Sequence, residues 1–468
     1  MSLWKNRDFL KLWTGDAVSD IGNQITLLAM PLTAILLLDA TPGELGILGA
    51  AQFAPFLLFG LIAGVWVDRV RRRPVMIAAD LIRALCIGVI PVLAVLDLLR
   101  IEHLYVIVFV FGTLGLFFDI AYQSYLPTLV KREQLTEGNA KLTATSTIAE
   151  VGGPALAGVL IQLLTAPVVL VIDGVSFLCS ALGLSLIKRR EAPVAPDPRG
   201  RNVLREVKEG LGFVFQSRLL RTIAATTATS NLFGRILFTV YVLYLAESLE
   251  LSPAVIGVTF ALSSIGSVLG AFVAERCSGW FGLGRTIAGS ILIGNAVLLL
   301  VPAAASLGVA TVPTLVVAMF IWGLANPIYN INQVSLRQGI TPDRLLGRMN
   351  ASMRFLVWGT VPIGYLIGGA IGDSFGLWPT LVIGAVGGVL PVLWLLPSQL
   401  VKLVSQPEGP QDGDGPGGQQ PPADPDSPDN ADSSAAAGSQ ADADDRDDAG
   451  VTADGAGAEQ SATATPGR

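Results

Sequence analysis

Charge is scarce in this chain. Of its 468 residues only 15% are Asp, Glu, Lys or Arg, where a soluble domain carries about 25%. Histidine occurs once, as His103, and cysteine three times, as Cys86, Cys179 and Cys277. So few ligands, so far apart, exclude a disulfide framework and the usual spacings of a metal site. They leave no Cys–His or Ser–His–Asp set for nucleophilic catalysis either. The cysteines lie in or beside apolar runs and read as packing residues. His103 falls in a short connection and reads as inert. "GLGRTIAG" at 282–289 is glycine-rich but lacks the Gly-Lys-Ser/Thr ending of a phosphate-binding loop. No enzyme, cofactor, metal or nucleotide is therefore expected. Nor is a nucleic-acid partner, since the net charge is −6. That acidity is local. From Pro407 onward stand 14 acids and 2 arginines, leaving 23 acids against 29 bases in the rest. The stretch 405–468 is rich in Pro, Gly, Asp, Ala and Ser, has little to bury, and is expected to be a disordered tail.

What abounds is apolar sequence, 51% of the chain. A helix needs about 20 such residues to span hydrocarbon. Twelve runs qualify: 10–38, 44–67, 74–97, 104–129, 142–164, 168–187, 220–246, 253–274, 286–306, 312–336, 351–372 and 377–400. In lipid the backbone must bond within its own segment, so these runs predict helices; barrel strands would alternate and be shorter. The first run is too long for a signal-peptide core and shows no small-residue cleavage site, so it is expected to be retained.

The connections alternate in charge. Cations sit before the first run (Lys5, Arg7, with Lys11 at its edge), between the second and third (Arg69, Arg71, Arg72, Arg73) and after the fourth (Lys131, Arg132, Lys141). They recur after the sixth (Lys188 through Arg221), eighth (Arg276, Arg285) and tenth (Arg337, Arg344, Arg348). The intervening "LDATPGE", "LTAP", "LAESLELSP", "AAASLGVATVP" and "GDSFGLWP" carry none, and Arg100 is the one exception. Cationic loops stay on the cytoplasmic side. A multi-pass protein of the cell membrane with both termini cytoplasmic is expected.

The chain also repeats itself at an offset of 211. Ser19-Asp20 then meets Ser230-Asn231, "TPGELG" at 41–46 meets "SPAVIG" at 252–257, Asn139-Ala140 meets Asn350-Ala351, and Ala157-Gly158 meets Gly368-Gly369. An even number of crossings per unit makes the two units parallel, a plan used by one large transporter class. The expected organisation is a first six-helix half, 1–187, and a second, 220–404. A linker, 188–219, joins them. Within it "NVLREVKEGLGFVFQ" spaces Val203, Leu204, Val207, Leu211, Val214 and Phe215 as one apolar helix face, expected on the cytoplasmic leaflet.

"GVWVDRVRRR" at 64–73 resembles the signature loop of the major facilitator superfamily. Gly64, Asp68, Arg69, Arg72 and Arg73 match, while Arg71 stands where the family prefers glycine. "GGPALAG" at 152–158 resembles the antiporter motif of helix 5 in Gly153, Pro154 and Gly158, with Ala157 in place of its first closing glycine. "YQSYLPTLVKREQLTEGNA" and "NPIYNINQVSLRQGITPDRLLGRMNASMRFLVWG" are similar to the branch containing macrolide-efflux proteins and the enterobactin exporter. The resemblance covers about residues 5–400. It implies the all-α major facilitator fold of twelve transmembrane helices. It also implies that Asp68 and the loop arginines form a conformational latch with an acid on helix 4, here Asp119.

Ionisable residues inside a bilayer are costly and therefore informative. Asp16 and Asp20, four apart, share one face of the first helix, and Asn23 continues it. Asp20 lies nine residues beyond Lys11, and Glu150 nine beyond Lys141, each about 14 Å along a helix and near mid-bilayer. A carboxylate there is expensive when charged and tolerable when protonated, so Asp20, Glu150 and Asp16 are the proton-coupling candidates. A permanent hydrogen bond to a neighbouring helix explains each equally well. Asp80 and Arg83, three apart, can pair on one face, and Asp173 reads as structural. Arg235 either pairs with one of these acids or meets an anionic substrate; with Asn23 it is a substrate-cavity candidate. Gly60-x-x-x-Gly64, Gly266-x-x-x-Gly270 and Gly364-x-x-x-Gly368 read as close helix packing. The expected function is secondary active export of an amphipathic small molecule, such as an antibiotic or siderophore, exchanged for protons by a monomer in the bilayer. Proton-coupled nutrient uptake and a non-transporting receptor or scaffold remain open at this point.

Overall fold

The computed structural model describes residues 3, 6–67, 69–130, 134–189, 191 and 203–404, with the side chains of 61, 65, 136, 203–207 and 343 excepted. Asp68, Lys5, Lys131, Arg132, the middle of the linker and the acidic tail lie outside the described residues.

The described residues are helical and contain no strand. The first six crossings are α1 (Arg7–Leu38), α2 (Pro42–Val67), α3 (Arg72–Val95), α4 (Ile101–Leu129), α5 (Leu135–Leu163) and α6 (Ala166–Ser185). Local chemistry sets their ends. The Asn6 side chain accepts from the N–H groups of Asp8 and Phe9 at 3.1 and 3.2 Å and caps α1. Asp39 ends it in the left-handed region, φ +47°, which Asp tolerates better than most residues. α5 begins before its apolar run, because Glu137 and Lys141 pair at 2.6 Å, four residues apart, along its polar first turns.

A short helix, α7 (Val203–Gln216), then leads into the second half. Its Val214 is fully buried, its Phe215 half-exposed. Glu209 on it pairs with Arg348 at 2.6 Å. α8 (Arg218–Leu243) and α9 (Pro253–Phe281) follow, then α10 (Leu283–Ala296), its extension α11 (Leu300–Ala303) and α12 (Thr311–Gly339). Helical structure is nearly unbroken from Leu283 to Gly339, 57 residues. That is about 86 Å, nearly three times the hydrocarbon thickness. Gly308 breaks it at φ +55°, and α10 packs back on α12. The eleven apolar helical stretches of the described residues therefore make twelve crossings, as twelve apolar runs predict.

The eleventh crossing differs from its run in being broken, into α13 (Leu346–Trp358) and α14 (Thr360–Phe375). Pro362 has no N–H, and its ring collides with the carbonyl four residues back, that of Trp358. α15 (Leu377–Val389) and α16 (Val392–Leu395) make the last crossing, parted at Pro391. Gly376, at φ +88°, supplies the one-residue turn between α14 and α15, a conformation open to glycine.

α1 packs on α5 and α6, and α3 on α4 and α6; α8 packs on α14 and α15, and α9 on α12. The two halves meet along α2–α14 and α5–α9. The offset of 211 reappears there as geometry. A Cβ on Gly158 would lie 2.4 Å from the Pro253 carbonyl oxygen and 3.0 Å from the Gly257 Cα. One on Gly369 would lie 2.9 Å from the Pro42 carbonyl oxygen and 3.1 Å from the Gly46 Cα. Each residue of the second seam is the first seam's partner moved by 211. Both seams lie at the side whose connections lack arginine. There Asp373 also accepts from the Gly43 N–H at 2.8 Å across the halves. One hydrophobic core joins both halves at that side, through Ile25, Ala157, Leu237 and Ile256. At the arginine-rich side each half keeps its own core, around Phe9, Met76 and Leu126 in the first and Leu220, Tyr329 and Met349 in the second. A Cβ on Gly60 or Gly64 there would meet nothing within 4 Å. The molecule is closed on the arginine-poor side and parted on the other.

Candidate functional site

A cavity of about 500 Å³ lies between the halves. Its walls mix apolar and aromatic groups (Met30, Phe238, Phe260, Trp322) with polar ones (Gln24, Gln52, Asn231, Asn326). It holds two charged side chains among the described residues, Glu150 from α5 and Arg235 from α8. Glu150 is exposed to the cavity and makes no hydrogen bond or ion pair among the described residues. Arg235 Nη1 donates to Tyr365 Oη at 3.4 Å, and its guanidinium lies 5.5 Å from the Phe53 ring centre and 5.7 Å from that of Tyr365.

A second pocket, of about 250 Å³, lies inside the first half. The face predicted on α1 lines it with Asp16, Asp20 and Asn23, and α4 adds Asp119 and Tyr122. Tyr122 Oη donates to Asp16 Oδ2 at 2.7 Å. Arg83 reaches the same pocket from α3, paired with Asp80 as their spacing predicts. Its guanidinium lies over Phe177 at 4.3 Å and Phe118 at 4.6 Å. The structure thus gathers Asp16, Asp20, Asn23 and Asp119 in one place and sets Glu150 and Arg235 in another. Asp20 and Glu150 were matched in depth by sequence but line different pockets. Asp173 is fully buried and accepts from Thr26 Oγ1 and from Ser176 Oγ, the latter at 2.9 Å, tying α1 to α6.

A third pocket, of about 220 Å³, lies inside the second half and shares Asn231, Arg235 and Trp322 with the central cavity. It is the acidic pocket's repeat: Thr227, Asn231 and Asn330 stand at Asp16, Asp20 and Asp119 moved by 211. The carboxylates have become neutral hydroxyl and amide groups.

The signature loop is engaged within the first half. Arg72 and Arg73 donate their N–H groups to the Glu191 carboxylate at 3.0 and 3.1 Å, so a distant acid caps α3. Arg73 Nε donates to the Leu184 carbonyl at 2.8 Å, and Arg73 Nη2 to that of Ser185. Arg69 is exposed. In the helix 5 motif, Gly153 sits against α1, where a Cβ would lie 2.4 Å from Gln24 Cβ. The Pro154 carbonyl and Gly158 abut Gly257. Sequence reasoning missed Gln24, Gln52, Trp322, Asn326, Tyr365 and Glu191. The repeat offers a signal for one of them, since Gln24 and Arg235 are 211 apart.

Comparison with known proteins agrees with this architecture. The model of the transmembrane secretion effector family matches residues 2–412. The multidrug efflux pump Tap of Mycolicibacterium fortuitum is 29% identical over 392 residues, 80% of this chain and 93% of that protein. Macrolide efflux protein A of Streptococcus pyogenes is 24% identical over 385 residues, 80% and 91% of the two chains. Among solved structures, the nucleoside transporter NupG aligns with a TM-score of 0.66 at 13% identity, covering 83% of this chain and 98% of that one. A bacterial homologue of the lysosomal transporter Spinster aligns with a TM-score of 0.66 at 13% identity, covering 84% and 97%. These two carry the fold alone.

Proposed function

The chain belongs to the transmembrane secretion effector family of major facilitator transporters, and we propose from that membership that it exports amphipathic small molecules by proton antiport. The relatives are transporters, not enzymes, and two of them are efflux proteins by name. The observation that carries the reading is the central cavity, sealed on the arginine-poor side and lined by the unpaired carboxylate of Glu150. With the arginine-rich side in the cytoplasm, as its cations favour, this state loads cargo from inside. Alternating access then needs the seams to part and the arginine-rich ends to close.

Each residue has a place in that cycle. Glu150 exchanges a proton or cargo in the cavity. Asp16 and Asp20 form a second titratable group within the first half. The loop of Asp68, Arg69, Arg72 and Arg73, with Gly64 at its approach, latches toward Asp119 when the arginine-rich ends close. One proton crossing 100 mV supplies about 2.3 kcal/mol. At about 1.4 kcal/mol per tenfold ratio, that sustains roughly a 40-fold gradient of a neutral solute.

The experiment uses proteoliposomes with an imposed pH gradient and a macrolide as cargo. Wild type concentrates it; Glu150→Gln equilibrates it downhill only. A Glu150→Gln protein that still concentrates the macrolide as wild type does removes Glu150 from the coupling.

A further inference from the structure

The central cavity holds one cation and one anion that the described residues leave unpaired. Asp20 and Asp119 also lack a partner among the described residues, but the one cation lining their pocket, Arg83, is already engaged. Arg83, set deep in the first half, is bound to Asp80 and enclosed by Phe111, Phe118 and Phe177. Asp173 is held by two hydroxyls, and Asp16 by the Tyr122 phenol. Arg235 has one long hydrogen bond and two ring contacts. A guanidinium carries five N–H donors, and ring faces attract its charge without accepting from its fork in the plane. Such a fork, left open within a membrane protein, suits an in-plane, two-oxygen acceptor.

The repeat sharpens the contrast. Moved by 211, Arg235 falls on Gln24 and Glu150 falls on Val361. In the central cavity each half thus departs from its copy by one charge, of opposite sign, Glu150 in the first and Arg235 in the second. Phe238, Phe260 and Trp322 supply apolar and aromatic wall beside them. Ionised groups inside a membrane protein are costly to leave without a partner. A ligand bearing both signs on an apolar body relieves both at once, whereas a purely cationic or anionic one leaves the other charge exposed.

Resting on the reading of the chain as an exporter of amphipaths, we propose that the cavity selects zwitterionic cargo, with a carboxylate or enolate anion at Arg235 and a cationic group at Glu150. The apolar body of the cargo lies against Phe238 and Trp322.

The test uses three dyes on one xanthene skeleton: a rhodamine with a free carboxylate (a zwitterion), its methyl ester (a cation) and fluorescein (an anion). Binding to the purified full chain in lipid nanodiscs is read by fluorescence anisotropy. Wild type is expected to bind the zwitterion about tenfold or more tighter than either other dye, about 1.4 kcal/mol or more. Arg235→Gln, which installs the residue of the repeat position, lowers zwitterion affinity to that of the ester and leaves the ester unchanged. Glu150→Gln lowers it to that of fluorescein and leaves fluorescein unchanged. Equal wild-type affinity for the three dyes, no binding of any, or an equal loss for all three in Arg235→Gln overturns the proposal. Dye export from proteoliposomes separates this from the export reading. Selective binding without transport sinks the exporter alone, and transport without selectivity sinks the zwitterion site alone.

Discussion

Gly158→Ala tests the closure of the arginine-poor side most directly. The added methyl would sit 2.4 Å from the Pro253 carbonyl oxygen and 3.0 Å from the Gly257 Cα. Both obstacles are backbone, so no side chain can turn away. Ordinary contact begins near 3.4 Å, so α5 and α9 must separate by about 1 Å at that level, a forced overpacking that costs about 1–3 kcal/mol. The strain acts only in the state where the seam is closed. It therefore shifts the equilibrium toward the state open on the arginine-poor side by roughly 5- to 150-fold. The repeat supplies an internal control. Gly369→Ala meets the Pro42 carbonyl oxygen at 2.9 Å, a milder overlap, so its shift is smaller. Nitroxides at Leu163 on α5 and Ser374 on α14, both exposed, report the separation of the halves by pulsed dipolar spectroscopy. The long-distance population should grow in the order wild type, Gly369→Ala, Gly158→Ala. Unchanged distances in Gly158→Ala, or a larger shift in Gly369→Ala, refute the reasoning.

Orientation is checked with an impermeant thiol reagent on intact cells: cysteines at Asp97 and Ser374 should label, and one at Val70 should not, whereas labelling at Val70 reverses the topology. Asp173→Ala strands the Thr26 and Ser176 hydroxyls in a buried site, a loss of about 2–4 kcal/mol, seen as a lower melting temperature in detergent. An Asp173→Ala protein as stable as wild type would deny the α1–α6 tie. Asp68→Asn should slow export while leaving membrane abundance near normal, because the latch favours one conformation and not the helix core; full export in that variant reduces the loop to a topology signal.

The acids show how far sequence reasoning reached into the site. The heptapeptide from Asp16 to Gly22 states that Asp16 and Asp20 share a helix face, since the helical period is local, and the structure finds both in one pocket with Asp119. Nothing along the chain states that Glu150, matched to Asp20 in depth, belongs to another cavity. Depth follows from position along a helix. Direction depends on how α1 and α5 are rotated and tilted, which their packing partners decide. Glu191 illustrates the same limit. As one acid beyond a run of bases it reads as incidental, and only folding brings it to the start of α3.

What the sequence by itself determined is the set of twelve crossings, the alternation of cationic and neutral connections, and the duplication at 211 residues. Hydrocarbon imposes the first two segment by segment: a backbone without water must close its hydrogen bonds locally, and a cation must stay at an interface. What only the tertiary structure decided is which charges share a cavity, and on which side the halves are joined. Both depend on contacts between residues far apart in the chain, such as Gly158 with Gly257 and Gly46 with Gly369. There glycine matters for the backbone it lets approach, and that neighbour exists only once the helices have packed.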